Sequence, residues 1–296
     1  MNTKTKVFEG CATALVTPFK NDTADLEAIP RLIDRQIEGG VSAIVMLGTT
    51  GESPTISYDE RDAIIECARE AIGGRAKLIV GTGSNSTKNA QILTQGAQKM
   101  GADAVLCVTP YYNKATQSSL AMHYKEIAKS TTLPVILYNV PSRTGVSLGV
   151  QALRELCEVE NIVGIKEASA DVCELERKIA EFKNHFWFYT GCDELVLPSY
   201  SVGAIGVISA VANLIPREMA TLCAKIQQGD WNGARELTHT LSPLIRELYS
   251  EVNPIGVKCA LAQMGLIENE LRLPLAPSSR EAQIACELIR LAELKL

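Results

Sequence analysis

Eight short apolar runs recur between residues 11 and 208, at 11–16, 43–47, 77–80, 104–108, 135–138, 162–166, 186–189 and 204–208. They are rich in Val, Ile and Leu and show little polar alternation, the pattern of strands covered on both faces. Their starts lie roughly 20 to 35 residues apart, room for one strand and one crossover helix each. The intervening segments carry helix signals. Ser57-Tyr58-Asp59-Glu60 reads as a capping box, followed by an apolar stripe at Ile64, Cys67, Ala68, Ala71 and Ile72. Gly39-Gly40, Gly73-Gly74, Gly101 and Gly203 punctuate helix ends. A faint repeat of a helix-stopping glycine followed by a strand entry recurs at Gly40, Gly101 and Gly203. The pattern predicts an α/β protein of the (β/α)8 TIM-barrel class. Beyond residue 230 the alternation stops, and residues 231–250, 254–264 and 280–294 read as helices. The expected division is therefore a barrel domain at 1–230 carrying the chemistry and a C-terminal helical extension at 231–296.

An open doubly wound sheet is the competing architecture, and it calls for a nucleotide fingerprint at its first turn. The nearest stretch, Gly81-Thr82-Gly83-Ser84-Asn85-Ser86, follows the third strand and lacks the third glycine, so it reads as a tight turn. Of the 296 residues 46% are hydrophobic and 21% charged, ordinary for a globular chain. The net charge of −5, with both signs interspersed, argues against a nucleic-acid partner. Nine cysteines include no Cys-x-x-Cys pair, which fits buried thiols in a reducing compartment. His123, His185 and His239 are scattered, so no metal site is expected. The amino terminus has no signal-like apolar segment and no run reaches membrane-spanning length, so a cytoplasmic protein without a membrane partner is expected.

The candidate chemistry centres on Lys166, which ends the β-branched run of Asn161-Ile162-Val163-Gly164-Ile165-Lys166. Lysine is rarely buried without purpose, and strand ends are where a barrel places its reactive groups. Apolar surroundings disfavour an ammonium and free an amine to attack a carbonyl. The carboxyl ends of the other strands carry Gly48-Thr49-Thr50-Gly51-Glu52, Pro110-Tyr111-Tyr112-Asn113, Tyr138 with Arg143 a few residues on, Thr190-Gly191-Cys192-Asp193 and Ser209. Each has a bland alternative: a snorkelling lysine, a hydrogen-bonded turn at Thr49-Thr50, a core tyrosine at Tyr138, a solvated cation at Arg143. Convergence on one rim is what favours chemistry. Tyr138 stands one strand–helix unit before Lys166, so the two are expected to be neighbours, with the phenol relaying protons. Thr49 and Thr50 suit a small carboxylate, and Arg143 suits a second one. Tyr111-Tyr112 suits a proton relay or an interface plug. Glu167 adjoins the lysine, but strand alternation turns it the other way. Amine, hydroxyls and arginine together point to imine chemistry on a 2-oxo acid: the enamine formed after loss of water is a carbon nucleophile that needs an acceptor aldehyde.

These stretches resemble the dihydrodipicolinate synthase family of pyruvate-dependent class I aldolases. The matches run nearly end to end, through Ala14-Leu15-Val16-Thr17-Pro18-Phe19, Gly48-Thr49-Thr50-Gly51-Glu52-Ser53, Pro110-Tyr111-Tyr112-Asn113, Tyr138-Asn139-Val140-Pro141-Ser142-Arg143-Thr144-Gly145, Gly164-Ile165-Lys166-Glu167-Ala168-Ser169, Gly203 to Ser209, Asn253-Pro254-Ile255-Gly256-Val257-Lys258 and Leu271-Arg272-Leu273-Pro274-Leu275. The resemblance implies that Lys166 forms the imine with pyruvate, with no other cofactor. It implies a proton relay of Tyr138, Thr49 and Tyr112, the last reaching into a neighbouring subunit. Thr50 would bind the pyruvate carboxylate, Arg143 would bind L-aspartate 4-semialdehyde, and backbone at Gly191 and Ile208 would line the pocket. The assembly implied is a homotetramer built as a dimer of dimers. Feedback-inhibited relatives resemble this chain at Ser53, Asn85 and Tyr111 but carry histidine at Tyr58 and glutamate at Asn89, so weak or absent L-lysine inhibition is expected. Two other readings stay open: a sister retro-aldol lyase acting on a sugar acid, and a non-catalytic metabolite-binding paralogue.

Overall fold

The computed structural model describes residues 2–294. Eight strands form a closed barrel in which chain order is also spatial order: β1 Gly10–Ala14, β2 Ala43–Met46, β3 Lys77–Gly81, β4 Ala104–Val108, β5 Val135–Asn139, β6 Ile162–Glu167, β7 Trp187–Thr190 and β8 Gly206–Ser209. All eight coincide with the apolar runs of the sequence, with ends shifted by a residue or two. The TIM-barrel expectation holds. A two-residue antiparallel pairing of Phe19–Lys20 with Thr23–Ala24 had no signal in the sequence.

The chain packs as two compact units, Met1–Glu9 with Lys77–Ile208 and Gly10–Ala76 with Ser209–Leu296. In the first, β3 to β8 run parallel, with one register shift between β5 and β6, where Val135 faces Ile162 but Ile136 faces Gly164. Val105 pairs with Val135, Tyr138 with Lys166, Lys166 with Tyr189, and Val207 with Thr190. The amino-terminal segment is tied to this sheet by groups that no periodicity announces. Lys4 Nζ donates to the carbonyls of Cys157, Val159 and Ile162 at 2.8, 2.8 and 2.9 Å. Phe8 stacks on Tyr189, whose hydroxyl donates to the Phe8 carbonyl at 3.0 Å. The tight turn expected at residues 81–86 is not formed at Gly83, since residues 82–84 continue past β3 without a turn and only Asn85 and Ser86 bend. Gly83 is glycine for packing, as a Cβ there would meet the Val108 nitrogen at 2.3 Å.

In the second unit β1 and β2 pair in parallel, Ala12 opposite Ala43. The capping box is formed as expected: Ser57 accepts from the Glu60 N–H, and the Glu60 carboxylate accepts from the Ser57 N–H at 3.0 Å. The helical extension comprises Trp231–Leu248, Ile255–Gln263 and Glu281–Glu293. Among the described residues no helix is long and apolar enough to cross a membrane.

One buried histidine in the first unit couples stability to pH. His123 lies on helix Gln117–Lys129, 7% exposed, with Nδ1 2.8 Å from Thr87 Oγ1. Burial holds its pKa down to about 4, from an ordinary 6.5. Between those values the unfolded chain binds more protons than the folded one, so stability falls as pH falls through that window. The loss should be on the order of 3 kcal/mol in total. Urea unfolding at a series of pH values between about 7 and 4 checks this, and His123→Asn should flatten the acid limb.

Candidate active site

Lys166 is the penultimate residue of β6 and Tyr138 that of β5, directly opposite in register. Side chains at paired positions of neighbouring strands point to the same face. The two accordingly meet: Lys166 Nζ lies 4.4 Å from the centroid of the Tyr138 ring, and the residues are 6% and 7% exposed. A phenol beside an amine offers both a proton donor and an acceptor to the oxygen of whatever carbonyl the amine attacks. Gly191, just past β7, leaves the room that Lys166 fills. A Cβ at that position would come within 2.6 Å of Lys166 Cε and 3.2 Å of Cγ, so any larger residue displaces the lysine stem. The Gly191 N–H donates to the Glu167 carbonyl at 2.7 Å, which fixes the approach. Next to it, burial pushes the Cys192 thiol up to about 11, so it stays protonated and does not compete as a nucleophile. Ile208, on β8, is buried.

Glu167 points away from Lys166, as alternation requires. Its carboxylate accepts from Lys178 Nζ at 2.7 Å, from Asn139 Nδ2 at 2.8 Å and from the Ser169 N–H at 3.0 Å. Lys178 is itself 1% exposed and also pairs with Glu174 at 2.6 Å. Sequence reasoning missed this buried network. It pins the carboxyl end of β6 and, through Asn139 Oδ1 accepting from the Leu148 N–H at 2.8 Å, the loop that carries Arg143. That loop opens with the single helical turn Pro141–Thr144, closed by Gly145 at φ +73°. Arg143 is exposed on it.

Tyr111 and Tyr112 follow β4. Tyr112 is 87% exposed and holds φ at +73°, a conformation that costs a bulky residue energy. Ser84 and Asn89 lie near one another, with Asn89 Nδ2 3.5 Å from Ser84 Oγ, and Asn85 is half-buried between them.

In the second unit the Gly48–Glu52 stretch forms two successive turns, with the Gly51 and Glu52 N–H groups donating to the Gly48 and Thr49 carbonyls, each at 3.1 Å. Thr49 is half-buried and Thr50 is 3% exposed. Thr50 Oγ1 accepts from Asn253 Nδ2 at 2.9 Å, and Glu52 pairs with Lys258, both of them almost fully buried. Asn253, Lys258 and Arg272 were visible in the sequence as motif residues without an assigned task. The one signal for Lys258 was a cation in the otherwise apolar run Val257-Lys258-Cys259-Ala260-Leu261. Ser53 accepts from Arg61 at 3.0 Å, and Tyr58 is exposed at the start of its helix. No cluster of three or more metal-ligating side chains occurs among the described residues.

The sequence model of the Dihydrodipicolinate synthetase family matches residues 7–290. A 4-hydroxy-tetrahydrodipicolinate synthase of Thermotoga neapolitana is 47% identical over 93% of this chain and 95% of its own. The 4-hydroxy-tetrahydrodipicolinate synthase of the thermoacidophilic methanotroph Methylacidiphilum fumariolicum SolV superposes with a TM-score of 0.94 at 44% identity, over 97% of this chain and 96% of the other. A monomeric dihydrodipicolinate synthase variant superposes with a TM-score of 0.95 at 43% identity, covering 97% of each chain.

Proposed function

The chain belongs to the dihydrodipicolinate synthetase family, and from that premise we propose that Lys166 condenses pyruvate with L-aspartate 4-semialdehyde through a covalent imine, giving 4-hydroxy-tetrahydrodipicolinate on the diaminopimelate route to lysine. It is a lyase of the class I aldolase type. The supporting observation is the buried Lys166 amine over the Tyr138 ring, with Gly191 leaving space along its stem.

The Lys166 amine adds to the pyruvate carbonyl carbon, and the carbinolamine loses its oxygen as water to leave the imine. A methyl proton then departs to give the enamine, whose carbon adds to the aldehyde. The amino group of that second substrate then adds to the imine carbon and displaces Lys166, closing the ring and freeing the lysine amine. The imine serves as the electron sink that other enzymes draw from a cofactor. Tyr138, Thr49 and Tyr112 carry the protons. Thr50 binds the pyruvate carboxylate, Arg143 binds the acid group of the aldehyde substrate, and the backbone at Gly191 and Ile208 lines the pocket. The exposure of Tyr112 and its left-handed backbone support a task in a neighbouring subunit's site, within a homotetramer built of two dimers. The barrel of residues 1–230 carries the chemistry, 231–296 forms the helical extension, and the enzyme works in the cytoplasm.

Borohydride reduction in the presence of pyruvate, followed by peptide mass spectrometry, is the test. One reduced pyruvyl group is expected on the peptide containing Lys166. A protein that takes up none, while remaining folded, is not this enzyme. A coupled reductase assay with aspartate semialdehyde set against sialic acid separates condensation from a retro-aldol lyase, an alternative that the named relatives do not favour.

Regulation gives a further expectation. With Tyr58 and Asn89 in place of the histidine and glutamate of inhibited relatives, position 89 offers an amide and not a carboxylate to a lysine ammonium. Initial rates should stay nearly flat as L-lysine is raised. A collapse at low concentrations refutes this.

A further inference from the structure

We propose that Asn253 is a positioning residue that sets the Thr50 hydroxyl as a hydrogen-bond donor toward the keto-acid carboxylate, an inference that rests on the function proposed above. Asn253 is 8% exposed and Thr50 3%. The amide nitrogen of Asn253 donates to Thr50 Oγ1 at 2.9 Å. A hydroxyl has one proton and two lone pairs. Here an amide N–H occupies a lone pair, so the proton is left to donate, and a donor is what a carboxylate requires. Donation into the oxygen also polarises the O–H bond and strengthens the next hydrogen bond in the chain. With an acceptor in the same place, the hydroxyl would turn toward it and present lone pairs to an anion.

The amide is delivered by an anchored segment. Asn253 leads into helix Ile255–Gln263, where Lys258, fully buried, pairs with Glu52 and donates to the Glu270 carbonyl at 2.9 Å. Between those two ties, Thr17 Oγ1 donates to the Gly51 carbonyl at 2.7 Å. Thr50, Gly51 and Glu52 are thus each held by a group from outside the turn. The helical extension therefore supplies two of the three ties, and only that of Asn253 falls on the hydroxyl itself.

A double-mutant cycle on the full chain separates this role from simple support of the fold. Asn253→Ala should raise the KM for pyruvate about tenfold, the worth of one hydrogen bond to a charged group. Its kcat and its KM for the aldehyde should stay within about twofold. Asn253→Asp should raise the pyruvate KM further, because a carboxylate draws the hydroxyl proton inward and repels the substrate anion. In a Thr50→Val background, Asn253→Ala should change the pyruvate KM by less than about twofold. An unchanged pyruvate KM in Asn253→Ala overturns the proposal, as does an equal rise in both KM values or full additivity on Thr50→Val. If Asn253→Asp does not fold, the alanine and valine variants still close the cycle. A native protein that forms no borohydride-trapped pyruvyl adduct sinks the condensation reading and this inference with it. An adduct-forming native protein with an additive cycle sinks this inference alone.

Discussion

Lys166→Ala should lower condensation turnover by about four orders of magnitude and abolish the borohydride-trapped adduct. The size of the effect follows from covalent catalysis: without the amine there is no imine, no enamine and no carbon nucleophile. No neighbouring lysine substitutes within its unit, since Lys178, the next buried cation, is locked between Glu167 and Glu174. Lys166→Arg should be as inactive, because a guanidinium does not lose its proton in a protein and cannot add to a carbonyl. Tyr138→Phe makes the contrast. It keeps the ring under the amine and removes only the hydroxyl, so the adduct should still form, slowly, while turnover falls by about 10² to 10⁴. A Lys166→Ala protein that turns over at even a tenth of the native rate removes the imine from the mechanism.

The strands, and with them the barrel, were legible because a strand buried on both faces writes an unbroken apolar run, and glycine marks where the helices stop. The adjacency of Lys166 and Tyr138 was legible for a related reason. Each ends a strand, and one strand–helix unit separates them, so parallel pairing brings them side by side. Alternation likewise turned Glu167 away from Lys166, but it gave no hint of Lys178 and Asn139 waiting behind it. The ties that hold the Gly48–Glu52 turn were hidden altogether. Asn253 and Lys258 come from some two hundred residues downstream, the separation of Asn253 from Thr50 being 203, and no period or local motif connects such positions. Lys4 capping three carbonyls near β6 is the same case at the other end of the chain. Local propensity writes elements into a sequence. Single long-range polar contacts leave only an odd residue in an apolar context.

Such a residue is Lys258, and Lys258→Met should cost about 3–5 kcal/mol of stability at neutral pH, because it strands the Glu52 carboxylate in the interior. Burial pulls the Lys258 ammonium down to about 8 despite the attraction of Glu52, so near neutrality the lysine is still mostly charged. The downward direction also says that desolvation outweighs the attraction, so the pair as a whole adds little to stability, while half of it is expensive. The remaining contacts sharpen the point. Lys258 Nζ lies 4.0 Å from the Phe19 ring centroid and Arg272 packs 4.4 Å from the same ring, with the Arg272 N–H donating to Glu52 at 3.1 Å. Removing the lysine leaves that single backbone donor to face a full carboxylate. Adding Glu52→Gln to Lys258→Met should therefore restore most of the loss, since the amide oxygen keeps an acceptor for the Arg272 N–H and carries no charge. Urea unfolding of the two single variants and the double variant measures the coupling, expected at about 2 kcal/mol or more. A Lys258→Met protein within about 1 kcal/mol of the native chain, or a double variant no more stable than the single, would show that Glu52 finds its compensation elsewhere.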